Sequence, residues 1–485
     1  MRVKASELGL DRIRQARKEK GWDWNVDYED TPLVEASKLL DEDWQPGNAY
    51  PKGISGSTWR RFLEGKERID IIAFKAFCQV IGVNWDEVVD PNSNIQLRER
   101  AEKSNFIENF WVGRENLIAE LSAKLRGDCR VLVLTGITGI GKTALAYQLP
   151  KALQTDGFKR EKPLNFEDEG AWDFVSVAAD LLIRWGEIVT ADDRKEPERL
   201  LYRLLQQLQN SRYLVQMDSL EKLLQGDEDI GWNNFRDNWW VTFFQRLLAA
   251  PECQSRLILT SQDFPTQFQE LGYAERCPCE LLTGLNESER LALFQNTGVE
   301  VEPASPNRPY LERIGAAYEG HPLALLVIAG EILSEPFSGD VVAYWKKYGH
   351  EIEEIEKAHQ KEEVESEDDR FRLDRFTPRL RELVKKKVEA SFSRLKEDFP
   401  DAYVLLCAGA TYRRSVQKEA WFFCLKKRLG YEEERLLIAL EALCDRYLIE
   451  VEEFPENEEL LRQHNLIRSA ALAHSKKVKT RTQPA

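Results

Sequence analysis

No stretch of this 485-residue chain is apolar for long enough to cross a bilayer. The longest such run, residues 322–330, falls well short of the roughly 20 residues that a spanning helix needs. The opening residues, MRVKASELGLDRIRQ, lack the continuous apolar centre of a secretory signal. Together these absences predict a cytoplasmic protein. A basic excess is missing too: 68 Lys and Arg stand against 83 Asp and Glu, a net charge of −15, which argues against chain-wide affinity for nucleic acid or anionic membrane. The eight cysteines are scattered. Cys277 and Cys279, one residue apart, have no second pair and no nearby histidine, so reduced and mostly buried thiols are expected rather than zinc ligands. No solenoid or propeller periodicity is found. What the chain does have is 42% hydrophobic and 10% aromatic residues, enough for three or four ordinary domains with cores of their own.

Residues 131–149, VLVLTGITGIGKTALAYQL, read as an apolar strand, then Gly136, four residues, Gly141, Lys142 and Thr143, then a helix. That is a phosphate loop in its required context. Glycines let backbone N–H groups turn inward around phosphate oxygens, with Gly139 and Ala144 completing that backbone. The helix start adds partial positive charge, Lys142 reaches the outer phosphates, and the Thr143 hydroxyl ligates magnesium. Residues 213–221, YLVQMDSLE, read as a neighbouring buried strand ending at Asp218, the second magnesium ligand. Lys142 and Asp218 are thus the candidate catalytic residues, and Thr143 and Asp218 the candidate metal ligands. Further apolar runs at 172–177, 256–260 and 277–282 alternate with helical segments at 198–209 and 240–248, which predicts a doubly wound, mostly parallel sheet.

From residue 110 onward the order of motifs resembles the NB-ARC ATPases, signalling P-loop proteins of the STAND class. Val112-Gly113-Arg114-Glu115 resembles the entry motif beside the adenine. GITGIGKT is similar to the phosphate loop, MDSLEKLL to the acidic strand end, and RLILTSQ (256–262) to the sensor strand. Residues 320–325, GHPLAL, resemble the motif whose proline, here Pro322, lies against the nucleotide. QHNLIR (463–468) resembles the MHD motif of a winged-helix domain, and KKVEASFSRLKEDFPDAYVLL, from 386, the start of that domain. The resemblance implies ATP or ADP with Mg2+, a closed state with ADP and an opening or assembly step with ATP. His464 would hold the terminal phosphate of ADP. It also implies a phosphate-binding domain at 106–282, a helical subdomain at 283–345, a charged helical connector at 346–375 and a winged-helix domain at 376–475.

Three positions depart from that pattern. Ser219 stands where many relatives carry a second acid, Gln262 where an arginine reads the outermost phosphate, and Asn465 where MHD has its aspartate. A hydroxyl is a poor general base. Glu221 is the alternative, but a strand continuing in alternation would point it elsewhere. Slow hydrolysis secondary to switching is the expectation. Asn465 is expected to cap the following helix as aspartate does.

Residues 1–90 form a separate helical unit. Residues 8–20 read as a helix with apolar positions 10 and 13, and Thr31-Pro32 as a helix start. GISGSTWRRFLEGKERIDIIAFKAFCQVIGVNWDEVVD (53–90) resembles the second half of a Cro-type helix-turn-helix domain, with Arg60 and Arg61 on the helix that would enter a groove. Yet residues 23–43 carry eight acids against one lysine, and the whole unit has 14 basic against 17 acidic residues, a net −3. That favours protein contact over phosphate. A linker at 91–105 follows. KEEVESEDD, within the connector, reads as a solvated or mobile face, and the basic tail 476–485 as disordered. The sequence thus describes a multidomain nucleotide switch with a protein sensor or effector as partner and nucleotide-dependent self-assembly. The second reading is a nucleotide-regulated transcription regulator that contacts DNA through residues 53–75.

Overall fold

The computed structural model describes residues 2–20, 32–40, 44–45, 54, 56–65, 69–89, 110–168, 170, 172–227, 231–365, 372–453 and 459–481. It divides into two compact units, Met1–Ser104 and Asn105–Ala485. In the first, helices Glu7–Glu19, Pro32–Leu40, Gly56–Glu64, Ile71–Ile81 and Trp85–Val88 enclose Ile13, Phe62, Phe74 and Phe77. Ser6 starts the first helix by accepting from the Gly9 amide at 2.9 Å. Trp59 stacks on Phe62 at 5.4 Å and meets Phe77 edge-on at 5.0 Å, which pins the helix Gly56–Glu64 by its apolar face and leaves Arg60 exposed. The Thr31 cap, most of the acidic stretch 23–43, and the linker 91–105 lie outside the described residues.

The second unit is built on one parallel sheet: β1 (Val131–Thr135), β2 (Lys159–Arg160), β3 (Leu164–Asn165), β4 (Tyr213–Asp218), β5 (Arg256–Ser261) and β6 (Cys279–Leu281). Its order is β6-β1-β5-β4-β2, with β3 also on β4. Every residue of β1 is buried, as in a parallel strand covered on both faces: Leu132 and Leu134 join one core, Val131 and Val133 the other. The strand bearing Asp218 is not the neighbour of the loop strand, as the sequence suggested. β5 lies between them and pairs with both, so the carboxyl ends of all three strands meet at one edge.

Residues 172–177 are not a strand either. Asp173 caps the helix Phe174–Arg184, accepting from the Ser176 amide at 3.0 Å, and Phe174, Val177, Ala178 and Leu181 are buried at helical spacing. A short apolar run cannot be told from a buried helix by its period alone.

The helix α1 (Lys142–Ala152) follows the loop after β1; beyond the last strand come helices Glu287–Thr297 and Arg308–Ala317, and then α2 (Pro322–Leu333). α2, PLALLVIAGEIL, is apolar all round and buried all round. Ala324, Leu325, Ile328 and Ile332 belong to the core beneath the phosphate loop, while Leu323 and Val327 belong to the core of Phe392, Trp421, Leu436 and Ile467. A Cβ at Gly330 would stand 2.5 Å from the Arg446 backbone, so only glycine permits that approach.

The charged passage 346–375 is not simply a solvated connector. It falls in α3 (Val341–Glu365) and α4 (Arg372–Asp398); Tyr348, Ile352 and Ile355 recur at helical spacing among the charges and pack against the core, and Arg313 pairs with Glu356 at 2.6 Å. Residues 366–371 lie outside the described residues. Helices Pro400–Gly409, Lys418–Leu429 and Glu433–Asp445 then surround an antiparallel sheet in the order Val416–Gln417, Glu459–Arg462, Glu450–Glu453. α5 (Asn465–Arg481) closes the unit. It runs through the first six residues of the segment read as a disordered tail, because no helix breaker occurs before Pro484. Among the described residues no helix is long and apolar enough to cross a membrane.

Candidate functional site

At the carboxyl end of β1 the loop 136–141 turns on glycines at positive φ: Gly136 at 142°, Gly139 at 86° and Gly141 at 101°. A Cβ on Gly139 would lie 2.8 Å from His321 Cε1, and one on Gly136 3.0 Å from the Leu282 carbonyl, so both the backbone twist and the lack of space demand glycine. Lys142 folds back over this loop, donating from Nζ to the carbonyls of Gly136 at 2.8 Å and Ile137 at 3.0 Å. Burial lowers its pKa, opposed by Glu221 and Asp218. Thr143, exposed on the first turn of α1, donates to Asp218 Oδ1 at 2.9 Å. The same oxygen accepts from the Thr260 hydroxyl of β5, and the Ser219 amide donates back to Thr260 Oγ1 at 2.9 Å. A hydroxyl and a carboxylate held together beside a glycine loop form an oxygen donor set that suits magnesium completed by water and phosphate oxygens. The residues therefore fit the group the sequence implied.

Glu221 is where the sequence reading fails. The strand ends at Asp218, Ser219 takes φ 64°, and a 3-10 turn, Leu220–Leu223, follows. That turn brings Glu221 back onto the end of β5, where it meets Gln262, instead of away from the strand ends. Its side chain is 4% exposed; Oε1 accepts from Gln262 Nε2 at 3.2 Å, and Oε2 has no hydrogen-bond donor. Burial raises its pKa, and Lys142 opposes the shift.

Two histidines later in the chain each stand at a helix start. His321, fully buried, caps α2: its Nδ1 accepts from the Ala324 amide at 3.3 Å, which leaves the proton on Nε2 to donate to the Thr138 carbonyl at 3.0 Å. Burial pushes its pKa down to about 4. Pro322 is the first residue of α2 behind it, where its missing N–H costs nothing. His464 repeats the arrangement at α5, accepting from the Leu466 amide at 3.3 Å through Nδ1. The cap is therefore His464, and Asn465, expected in that role, is already the first helical residue. Burial first, then Arg462, His321 and Lys142, push the His464 pKa down to about 3.

The entry motif serves the loop from below. Gly113 and Arg114 both have positive φ, and the Arg114 amide donates to Glu289 Oε1 at 2.8 Å. Its guanidinium donates to the carbonyls of Ile140 at 3.0 Å and Thr283 at 2.9 Å, tying the loop to the segment after β6. Val112 is half-buried against the core. A groove of about 660 Å³ opens beside this motif, lined by Gly113, Arg114, Glu280, Asn286 and Glu289, and does not include the phosphate loop. The structure thus gathers Gly136, Gly139, Gly141, Lys142, Thr143, Ala144 and Asp218 at one strand edge, with Arg114 beneath. His321, Thr260 and Gln262 were not foreseen as partners. The one available signal was His321 standing directly before a proline at a helix start.

No family model matches the chain. An uncharacterized WD repeat-containing protein of Nostoc sp. is 30% identical over 368 residues, which takes in 70% of this chain but only 28% of that protein. Among solved structures, a STAND protein with a tetratricopeptide repeat sensor from Pyrococcus horikoshii aligns over 77% of this chain and 46% of its own, at 18% identity and a TM-score of 0.44. A Walker-type ATPase of Pyrococcus abyssi aligns over 75% of this chain and 96% of its own, at 15% identity and a TM-score of 0.33.

Proposed function

We propose that the chain is a nucleotide-dependent switch of the NB-ARC type, binding ATP or ADP with Mg2+ and closed in the ADP state. The observation that carries this reading is the 2.9 Å bond from Thr143 to Asp218, which joins the two halves of a phosphate–metal site from segments 75 residues apart. Lys142 would neutralise the outer phosphates, and the loop amides would hold them. The magnesium, when bound, would supply charge neutralisation between Thr143 and Asp218. Closure would run through the two capping histidines, because His321 belongs to the helical subdomain and His464 to the segment proposed as a winged helix. His321 holds the loop through the Thr138 carbonyl, so a nucleotide that sits on the loop and also touches His464 would tie three parts of the chain together. ATP would relax that closure and permit assembly, and the acidic N-terminal unit would engage a protein partner.

The test is to purify the chain, release its small molecules with acid and identify them. Adenine nucleotide, chiefly ADP, is expected in the parent and absent from Lys142→Ala, which loses the charge on the outer phosphates. Equal retention by the two proteins would sink the site assignment.

A further inference from the structure

We propose that Glu221 is the base that takes the proton from the attacking water when this site hydrolyses a nucleoside triphosphate, and that Gln262 positions it. The inference rests on the nucleotide reading above.

The nearer candidates are occupied or chemically unsuited. Asp218 Oδ1 already accepts hydroxyls from Thr143 and Thr260, and position 219 offers only a hydroxyl. Glu221, by contrast, is nine-tenths buried with one oxygen lacking any donor, and the amide that holds its other oxygen, Gln262, has its own Oε1 in the same state. Buried acceptors without donors are rare, and each calls for a partner that the protein does not supply. A water admitted to this site together with the nucleotide would satisfy both, donating one hydrogen to Glu221 Oε2 and the other to Gln262 Oε1. A water so held keeps its lone pairs for a phosphorus atom. Lys142, which shares its electrostatic neighbourhood with Glu221, marks where the outer phosphate would be.

The step balances without another reagent. The water oxygen bonds to the terminal phosphorus, the bond from that phosphorus to the bridging oxygen breaks, and its electron pair leaves with the diphosphate. The water proton passes to Glu221 Oε2 and from there to the phosphate product or bulk water. The charged groups that act on Glu221 are Lys142 of α1 and Glu167, which follows β3; Lys142 in turn faces Asp218 of β4 and Arg381 of α4. Burial makes the carboxylate more basic, and Gln262 leaves it so. An arginine at 262 would form an ion pair with it and make it a poorer base.

The experiment uses the full chain, stripped of nucleotide, with terminally labelled ATP and Mg2+ under single-turnover conditions from pH 5 to 9, and binding measured in parallel. The parent should show an acidic limb. Glu221→Gln should bind ATP, hydrolyse it roughly 10²-fold or more slowly and lose that limb. Gln262→Arg should keep the limb but move it to lower pH, which a merely structural role for Gln262 would not do. Hydrolysis by Glu221→Gln within threefold of the parent, or a limb that persists in it, overturns the proposal, as does a parent that binds ATP without turning it over. If Glu221→Gln fails to bind, Glu221→Asp decides: it should bind and react more slowly with the limb retained, and a parent-like rate refutes the base. A parent that binds no ATP at all overturns the nucleotide reading itself.

Discussion

Glu221 and Glu331 are both carboxylates with almost no exposure, at 4% and 3%, yet their surroundings are opposite. Glu331, on α2, accepts from Lys387 at 2.7 Å, Arg394 at 2.6 Å and Tyr344 at 2.8 Å, and from the Ser391 hydroxyl. Burial alone would raise its pKa, but Lys387 and Arg394 outweigh it and hold it near about 2. Glu221 accepts from the Gln262 side-chain amide, and burial raises its pKa. The first is a fixed charge that locks α2 to α4. The second is a group left able to accept a proton. Burial of a carboxylate therefore says nothing of its role until its donors are counted.

The largest effect separates the two directly. Glu331→Gln leaves Lys387 without its counter-charge in the interior and Arg394 with Glu351 alone, and should cost about 3–5 kcal/mol in urea unfolding. Glu221→Gln should leave stability unchanged or raise it: a carboxyl whose folded pKa is raised binds its proton more tightly in the folded state, so the charged form at neutral pH opposes folding. Equal losses in the two variants would erase the distinction.

The phosphate loop, the end of β4 and the strands at 256–260 and 277–282 were legible because each is fixed by local chemistry: glycine twist, one acid after an apolar run, and short apolar runs between helices, whereas the run at 172–177 proved helical. Glu221 was not, because its position depends on Ser219 taking a positive φ, which no neighbour in sequence announces. β5 could not be placed between β1 and β4 from the sequence, since strand order is set by packing of the whole sheet. The Glu331 network escaped for the same reason. Its members lie 13 to 63 residues from Glu331, and Lys387 and Arg394 read along the chain as ordinary surface charges.

Next in size is an acid effect at the capping histidines. His321 is held neutral, with a folded pKa of about 4 against about 6.5 unfolded. Between these values the unfolded chain binds a proton that the folded chain refuses, so stability falls as pH drops from about 6.5 toward 4, by up to about 1.4 kcal/mol per pH unit. His321→Asn keeps a side-chain oxygen to cap α2 but cannot titrate. Urea midpoints at pH 7 and pH 5 should differ less in this variant than in the parent. An identical pH dependence would show that His321 is not held neutral by its site.

The smallest effect tests whether the second capping histidine also faces the nucleotide. Since His464 Nδ1 accepts from the Leu466 amide, its proton is on Nε2, where an imidazole can donate to a phosphate oxygen. Removing it does two things at once. The cap is lost, at about 0.5–2 kcal/mol of stability, and so is any contact with ADP. His464→Asn separates them, because asparagine caps a helix well but is too short to replace the outer ring nitrogen. If closure depends on that contact, both variants should weaken ADP binding by roughly fivefold, the low end of a coupling of about 1–3 kcal/mol, with ATP less affected. Reciprocity then requires that ADP favour the compact form less in both, which small-angle scattering would register. Stability should divide them, with His464→Asn near the parent and His464→Ala below it. If ADP-to-ATP preference is unchanged in both while only the alanine variant loses stability, His464 is a helix cap and nothing more.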